Sequence, residues 1–161
     1  MLPAKKQVLW RVLFAIYLIS LMVFVVVKFD GSISSVTNRI ALYHLWEDDY
    51  GFHPLNLIPF HTIRMQLRDH GTRSMLNLVA NVAAFLPLGM LFPCSFPKTD
   101  RLWRVLILSM LFSVGIELFQ LVTYTGSCDI DDVLLNTVGA LLGYGVYNWW
   151  TTQEEQISSQ P

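Results

Sequence analysis

The sequence predicts an all-α, multi-pass membrane protein, a bundle of four transmembrane helices with a short interfacial helix in the long first external connection. Hydrophobic residues make up 53% of the 161 residues and charged residues only 14%, whereas soluble domains carry about 25% charged residues. Four stretches approach or reach the length that a bilayer crossing requires, about 20 residues. The formal net charge of −1 excludes a generally basic nucleic-acid-binding protein, so no nucleic-acid partner is expected.

The predicted spans belong to a single domain over residues 1–161. The second span is the shortest and contains Pro87, so a buried broken helix is its alternative. After the fourth span the chain ends in a short polar tail over residues 151–161. The four predicted spans are Val8–Val27, Leu76–Phe92, Val105–Tyr124 and Val133–Trp150.

The long first connection contains one segment with helical spacing, Pro59–Asp69. Its apolar residues recur at i, i+3 and i+7, and its basic residues lie on the other side, which predicts a short helix at the lipid headgroups. A solvated amphipathic connector is the alternative. The preceding patch Leu45–Tyr50, which has three consecutive acids, is predicted to be a surface loop. The apolar side consists of Phe60, Ile63 and Leu67, and the basic side of His61, Arg64 and Arg68.

The placement of lysine and arginine predicts that both termini are cytoplasmic. Bases crowd the N-terminus and the short second connection, from Lys98 to Arg104, whereas the third connection, Thr125–Asp132, has three acids and no base. The bases of the first connection are spread over a much longer segment. The first and third connections are therefore expected outside, which separates Cys94 on the cytoplasmic side from Cys128.

Polar side chains recur inside the predicted spans, at one level of the outer leaflet. At a rise of 1.5 Å per residue, they lie roughly 4–10 Å inside the outer ends of three spans. The acids of the third connection and the bases of the predicted interfacial helix lie just above them. The polar groups at this level are Asn81, Glu117, Gln120 and Asn136, and those above it are Asp129, Asp131, Asp132, Arg64 and Arg68.

Glu117 is the strongest indication of a site. A carboxylate at a helix centre in lipid costs about 2.5–3.5 kcal/mol, so it must be protonated, paired or facing a wet cavity. The alternative for the asparagines is that they only join helices, and one of Asp129–Asp132 is expected to cap the fourth span. Gly139 and Gly143 have the spacing of a helix-packing edge.

Four blocks of the sequence together form a recognisable pattern: Asn56–Phe60 (NLIPF), Asn81–Gly89 (NVAAFLPLG), Glu117–Gln120 (ELFQ) and Asp129–Gly139 (DIDDVLLNTVG). In these blocks the chain resembles the VanZ-like family, which is named for a teicoplanin-resistance protein of glycopeptide-resistant Gram-positive bacteria. The likeness extends from about Asn56 to Tyr147. It implies a multi-pass membrane protein of the cell envelope, and some members are associated with reduced sensitivity to teicoplanin-type lipoglycopeptides.

The chain departs from the family pattern in the third connection. Many members have an arginine after Thr-Gly, whereas this chain reads Thr125-Gly126-Ser127-Cys128. A carboxylate that needs that arginine must find its partner elsewhere, and Arg64 or Arg68 is the substitute that we expect.

We expect an outward-facing polar pocket that acts on membrane lipids, a lipid-linked precursor or a lipoglycopeptide. One alternative is a membrane enzyme with Glu117 or Asp132 as general acid or base. If a divalent cation such as Mg²⁺ or Ca²⁺ takes part, Asp129 and Asp132 are its candidate ligands; the sequence identifies no cofactor. A small oligomeric transporter or scaffold, associating through Gly139 and Gly143, is the other alternative. The candidate binding residues are Asn81, Gln120, Asp129, Asn136, Arg64 and Arg68.

Overall fold

The computed structural model of the chain describes residues 4–27, 32–50 and 55–158. It confirms the all-α fold class. Two short strands, β1 (Leu55–Asn56) and β2 (Cys128–Asp129), pair in parallel, and a 3₁₀ turn at Pro97–Thr99 follows the fourth helix. The helices are α1 (Ala4–Val27), α2 (Ile33–Tyr50), α3 (His61–Asp69), α4 (Thr72–Ser95), α5 (Leu102–Thr123) and α6 (Ile130–Ser158).

Three helices of the described part are long and apolar enough to cross a membrane. They are Lys6–Phe24 within α1, Thr72–Ser95 and Leu102–Thr123, and they correspond to the first three predicted spans. The predicted fourth span, Val133–Trp150, lies within α6, where asparagines, tyrosines and glycines lower the hydropathy. The fourth crossing therefore stays a prediction.

Three local features differ from the sequence-based expectation. The second predicted span is not broken, because α4 continues through Pro87 and Pro93. Helix α6 runs to Ser158, past the predicted start of the polar tail. The predicted loop at Leu45–Tyr50 is wrong, because these residues belong to α2.

Helix α2 is held by contacts with the segment that joins α5 to α6. The guanidinium of Arg39 donates a hydrogen bond of 2.7 Å to the carbonyl oxygen of Thr125. The Tyr124 hydroxyl donates a hydrogen bond to the Glu47 carboxylate. Such contacts override a weak local helix preference.

Helix α4 packs closely against α6, with α5 on α6 and α1 on α4. Glycines permit this approach: a Cβ added to Gly139 would lie 2.1 Å from the Val82 carbonyl oxygen, and one added to Gly143 would lie 1.9 Å from that of Leu86. The predicted packing edge is thus used within the chain. Association of two copies stays a prediction, and it would need a surface that α4 does not cover.

The hydrophobic core lies directly beside the polar level. Asn81 and Asn136 each precede a core residue by one helical turn, and Glu117 follows one immediately. The same packing that buries the core therefore brings three polar side chains together. The core residues are Leu21, Phe85, Leu88, Ile116 and Ala140.

Candidate functional site

A cavity of about 580 Å³ lies where α4, α5 and α6 meet. Its volume falls within the range of about 300–1,000 Å³ that is typical of ligand sites. Three of its polar side chains, Glu117, Gln120 and Asn136, are only 3–4% exposed. Its polar lining contains five predicted site residues: Asn81, Glu117, Gln120, Asp132 and Asn136.

Two asparagines join helices and also face the cavity. The Asn81 side-chain amide donates a hydrogen bond of 2.6 Å to the Asp132 carboxylate, which links α4 to α6. The Asn136 amide donates one of 2.8 Å to the Ser113 hydroxyl, which links α6 to α5. These bonds orient the carboxylate and amide groups that line the cavity.

The Glu117 carboxylate is anchored by the segment that leads into α6. It accepts a hydrogen bond of 2.9 Å from the backbone N–H of Asp129. Glu117 also lines the cavity, so it meets one of the conditions under which a carboxylate is tolerated at this depth.

The three neighbouring aspartates have three different surroundings. Asp129 precedes α6, and its carboxylate accepts the backbone N–H of Asp131 at 2.9 Å, which is the predicted cap of this helix. Asp131 points away from its own helix and accepts the backbone N–H groups of Phe60 and Ile63, at 2.5 and 3.0 Å. Asp132 lines the cavity.

Asp129 also connects β1 and α3 to this region. Its carboxylate accepts hydrogen bonds from the Asn56 amide at 3.2 Å and from the Thr62 hydroxyl at 2.5 Å. The Asp129 carboxylate thus accepts hydrogen bonds from at least three donors. Asp129 lies beside the cavity and holds the cavity wall in place.

The predicted arginines lie elsewhere. Arg64 and Arg68 are exposed on α3 and are absent from the cavity lining, whereas Arg73, in the first turn of α4, lines the cavity. Sequence reasoning missed Arg73. The signal was available, because Arg73, Asn77 and Asn81 recur every four residues and so share one face of a helix.

A family model described as VanZ/LLP1 matches residues 14–151. This chain belongs to the VanZ/LLP1 family. Protein VanZ from Enterococcus faecium is 33% identical over 144 residues, which cover 88% of this chain and 74% of that protein. No solved structure matches the chain. Membership of the VanZ/LLP1 family and the three apolar helices indicate a membrane protein.

The four VanZ-like blocks of the sequence meet around the cavity. The block Asn56–Phe60 forms β1 and the approach to α3, and Asp129–Gly139 forms the end of β2 and the start of α6. The other two blocks contribute Asn81 and Glu117 to the lining. In this VanZ/LLP1 member Arg73, from the first turn of α4, adds a guanidinium to the lining.

Neither cysteine forms a disulfide; both are free and buried. Burial raises the pKa of the Cys128 thiol above its usual value, and the negative charges of Glu117 and Asp129 raise it further. The thiol is therefore less reactive at neutral pH than that of a free cysteine.

The two candidate metal ligands, Asp129 and Asp132, accept hydrogen bonds from different partners. Within the described residues, no group of three or more histidine, cysteine, aspartate or glutamate side chains is placed to hold a metal ion. Asp129 is engaged by Asn56 and Thr62, whereas Asp132 accepts from Asn81.

Proposed function

We propose that the cavity binds a ligand presented at the outer face of the membrane, and that this binding lowers the sensitivity of the cell to teicoplanin-type lipoglycopeptides. The observation that carries the proposal is a carboxylate, Glu117, that is 3% exposed and lines a cavity of about 580 Å³. Intramembrane acids are costly and typically mark functional sites. The link to teicoplanin comes from the family alone.

The cavity faces outward if α6 is the fourth span and both termini are cytoplasmic. The apolar side chains around the start of α3 support a position of this helix at the headgroups, since Leu57, Ile58 and Phe60 are 62%, 65% and 51% exposed. Arg64 and Arg68, also exposed, would then meet the phosphate layer.

Thiol labelling of intact cells tests this topology. Ser127→Cys and Lys98→Cys are introduced separately into a chain carrying Cys94→Ser and Cys128→Ser. We expect a membrane-impermeant reagent to label the cysteine at position 127 in intact cells and that at position 98 only after permeabilisation. The opposite pattern would place the cavity on the cytoplasmic side and refute an outward-facing site.

The function itself is tested with Glu117→Gln at matched membrane abundance. We expect the wild-type chain to protect cells against teicoplanin and this variant to lose that protection, because the amide removes an ionisable group from the cavity with little change in shape. Glu154→Gln, an exposed position near the end of α6, is the control. Full protection by Glu117→Gln would overturn the proposal.

The two carboxylates in one cavity, Glu117 and Asp132, also suit an acid/base enzyme that modifies a lipid or envelope precursor. Mass spectrometry of envelope lipids from the same strains separates the two functions. A lipid species that appears with the wild type and vanishes with Glu117→Gln would indicate catalysis. An unchanged lipid profile with lost protection would indicate binding or a scaffold role.

A further inference from the structure

A second cavity, of about 790 Å³, lies between α1 and α4; we call it the α1–α4 groove. Small side chains on α4, Ala80, Ala83 and Ala84, leave space opposite Leu21 and Val23 of α1. The groove is therefore almost entirely apolar.

The two helices that form the groove are held together at its deeper end. The Tyr17 hydroxyl donates a hydrogen bond of 2.7 Å to the Ala84 carbonyl oxygen. Further along, the Arg11 guanidinium donates a hydrogen bond of 3.2 Å to the Ser95 carbonyl oxygen. The Ser95 hydroxyl in turn donates one of 3.0 Å to the Trp10 carbonyl oxygen. The groove is thus a gap between packed helices.

The groove and the polar cavity adjoin each other, because Phe24, Ala80 and Ala84 belong to both linings. Along α4 the polar cavity begins at Arg73, and the groove ends at Pro87. This distance is about 21 Å at a rise of 1.5 Å per residue. The groove alone covers about 10 Å, roughly two thirds of the hydrocarbon thickness of one leaflet.

The walls change from charged and polar to apolar in one direction along α4, which is the polarity profile of a single amphiphile. We propose that the two cavities together hold one glycolipid of the surrounding leaflet, with its hydroxyl-rich headgroup in the polar cavity and one hydrocarbon chain in the α1–α4 groove. This inference rests on the proposed function and names the ligand class of its cavity.

The chemistry of the lining favours a neutral, hydroxyl-rich headgroup. Carboxylates accept hydrogen bonds, a guanidinium donates them, and amides do both, so together they match hydroxyl groups in any orientation. Two carboxylates against one guanidinium make the lining acidic on balance, which disfavours an anionic phosphate. The groups concerned are the carboxylates of Glu117 and Asp132, the amides of Asn77, Asn81, Gln120 and Asn136, and the guanidinium of Arg73.

The test uses the full chain reconstituted in phosphatidylglycerol vesicles that contain a minor fraction of monoglucosyl diacylglycerol with the same acyl chains. The protein is extracted with a detergent that has no sugar headgroup, and the retained lipids are counted by mass spectrometry. We expect the glucosyl lipid to be enriched at least several-fold over its fraction in the vesicles. Octyl glucoside should displace it, and a phosphocholine detergent of equal chain length should not.

Ala83→Phe fills the groove from a residue that does not line the polar cavity. We expect it to abolish the enrichment, whereas Ala15→Phe, the same exchange at an exposed position of α1 outside both linings, should retain it. No enrichment with the wild type, or equal enrichment with Ala83→Phe, would overturn the proposal that the two cavities hold a glycolipid. Neither result changes the teicoplanin test of Glu117→Gln, so the two proposals fail separately. The wild-type competition remains decisive if Ala83→Phe does not fold.

Discussion

The carboxylate of Asp131, at the start of α6, accepts a hydrogen bond of 3.0 Å from the backbone N–H of Ile63, in the first turn of α3. The first N–H groups of a helix have no partner within it, and Phe60, the residue before α3, provides no side-chain cap. A fully buried aspartate of one helix therefore caps another. Because Asp132, the next residue, lines the cavity, the docking of α3 is coupled to the shape of the site.

Asp131→Ala should lower the stability of the full chain. It leaves the backbone N–H groups of Phe60 and Ile63 without their acceptor, and each of these partly buried hydrogen bonds contributes about 0.5–1.5 kcal/mol. The measurement is thermal unfolding in detergent. Asp69→Ala is the control, because the Asp69 carboxylate binds the Ser74 hydroxyl at an exposed site. Equal losses from both variants would contradict this role of Asp131.

Gly139→Ala and Gly143→Ala should separate α4 from α6. Their added Cβ atoms would lie 2.1 and 1.9 Å from backbone carbonyl oxygens, which cannot move as flexible side chains do. We expect a loss of about 1–3 kcal/mol, the usual cost of overpacking, visible as a lower melting temperature in detergent. Gly145→Ala adds the same methyl group in open space and should have little effect. A stable Gly143→Ala variant would refute the close packing.

The sequence predicted features that depend on one segment at a time. Apolar length identified α1, α4 and α5, and the spacing of Phe60, Ile63 and Leu67 predicted a helix that forms at His61–Asp69. Counting residues from the ends of the spans predicted that four polar side chains lie at one depth: Asn81, Glu117, Gln120 and Asn136. They line one cavity because the helices that carry them pack side by side.

The features that sequence reasoning missed depend on contacts between distant segments. Asp131 was expected only as one of the acids above the polar level, yet it caps α3, because that helix brings its unpaired N–H groups to the start of α6. Arg73 is the exception, because its four-residue spacing from Asn77 and Asn81 can be read from the sequence; it was overlooked because it precedes the apolar part of α4. Helix α2 lacks a clear apolar stripe, and its contacts with Thr125 and Tyr124 cannot be read from its own residues.

Arg73→Gln should weaken ligand binding and reduce protection against teicoplanin. A hydrogen bond from a charged donor contributes about 1.5–3 kcal/mol, so its loss corresponds to roughly 10- to 100-fold weaker binding. Arg68→Gln is the matched control, because Arg68 is exposed on α3 and does not line the cavity. Susceptibility is measured at equal membrane abundance. If Arg68→Gln had the larger effect, surface charge and not the cavity would be responsible.

The thiol of Cys128 provides a probe of the charge on Glu117. Only the thiolate is alkylated, and both burial and the nearby carboxylates raise the pKa of Cys128. Below this raised pKa the thiolate fraction is smaller than in a free cysteine, whose pKa is about 8.5. Alkylation of the Cys94→Ser protein should therefore be slow at neutral pH and should accelerate only as the pH rises through the raised pKa of Cys128.

Glu117→Gln removes one of the negative charges that raise this pKa, so the midpoint of the rate against pH should move to lower pH. The plateau rate at high pH reports access of the reagent, and the midpoint reports the pKa, which separates the electrostatic effect from a change in exposure. Glu154→Gln, which does not contribute to the shift, should leave the midpoint unchanged. An identical midpoint in Glu117→Gln and wild type would mean that Glu117 carries no charge beside Cys128, and a protonated acid would then face the cavity.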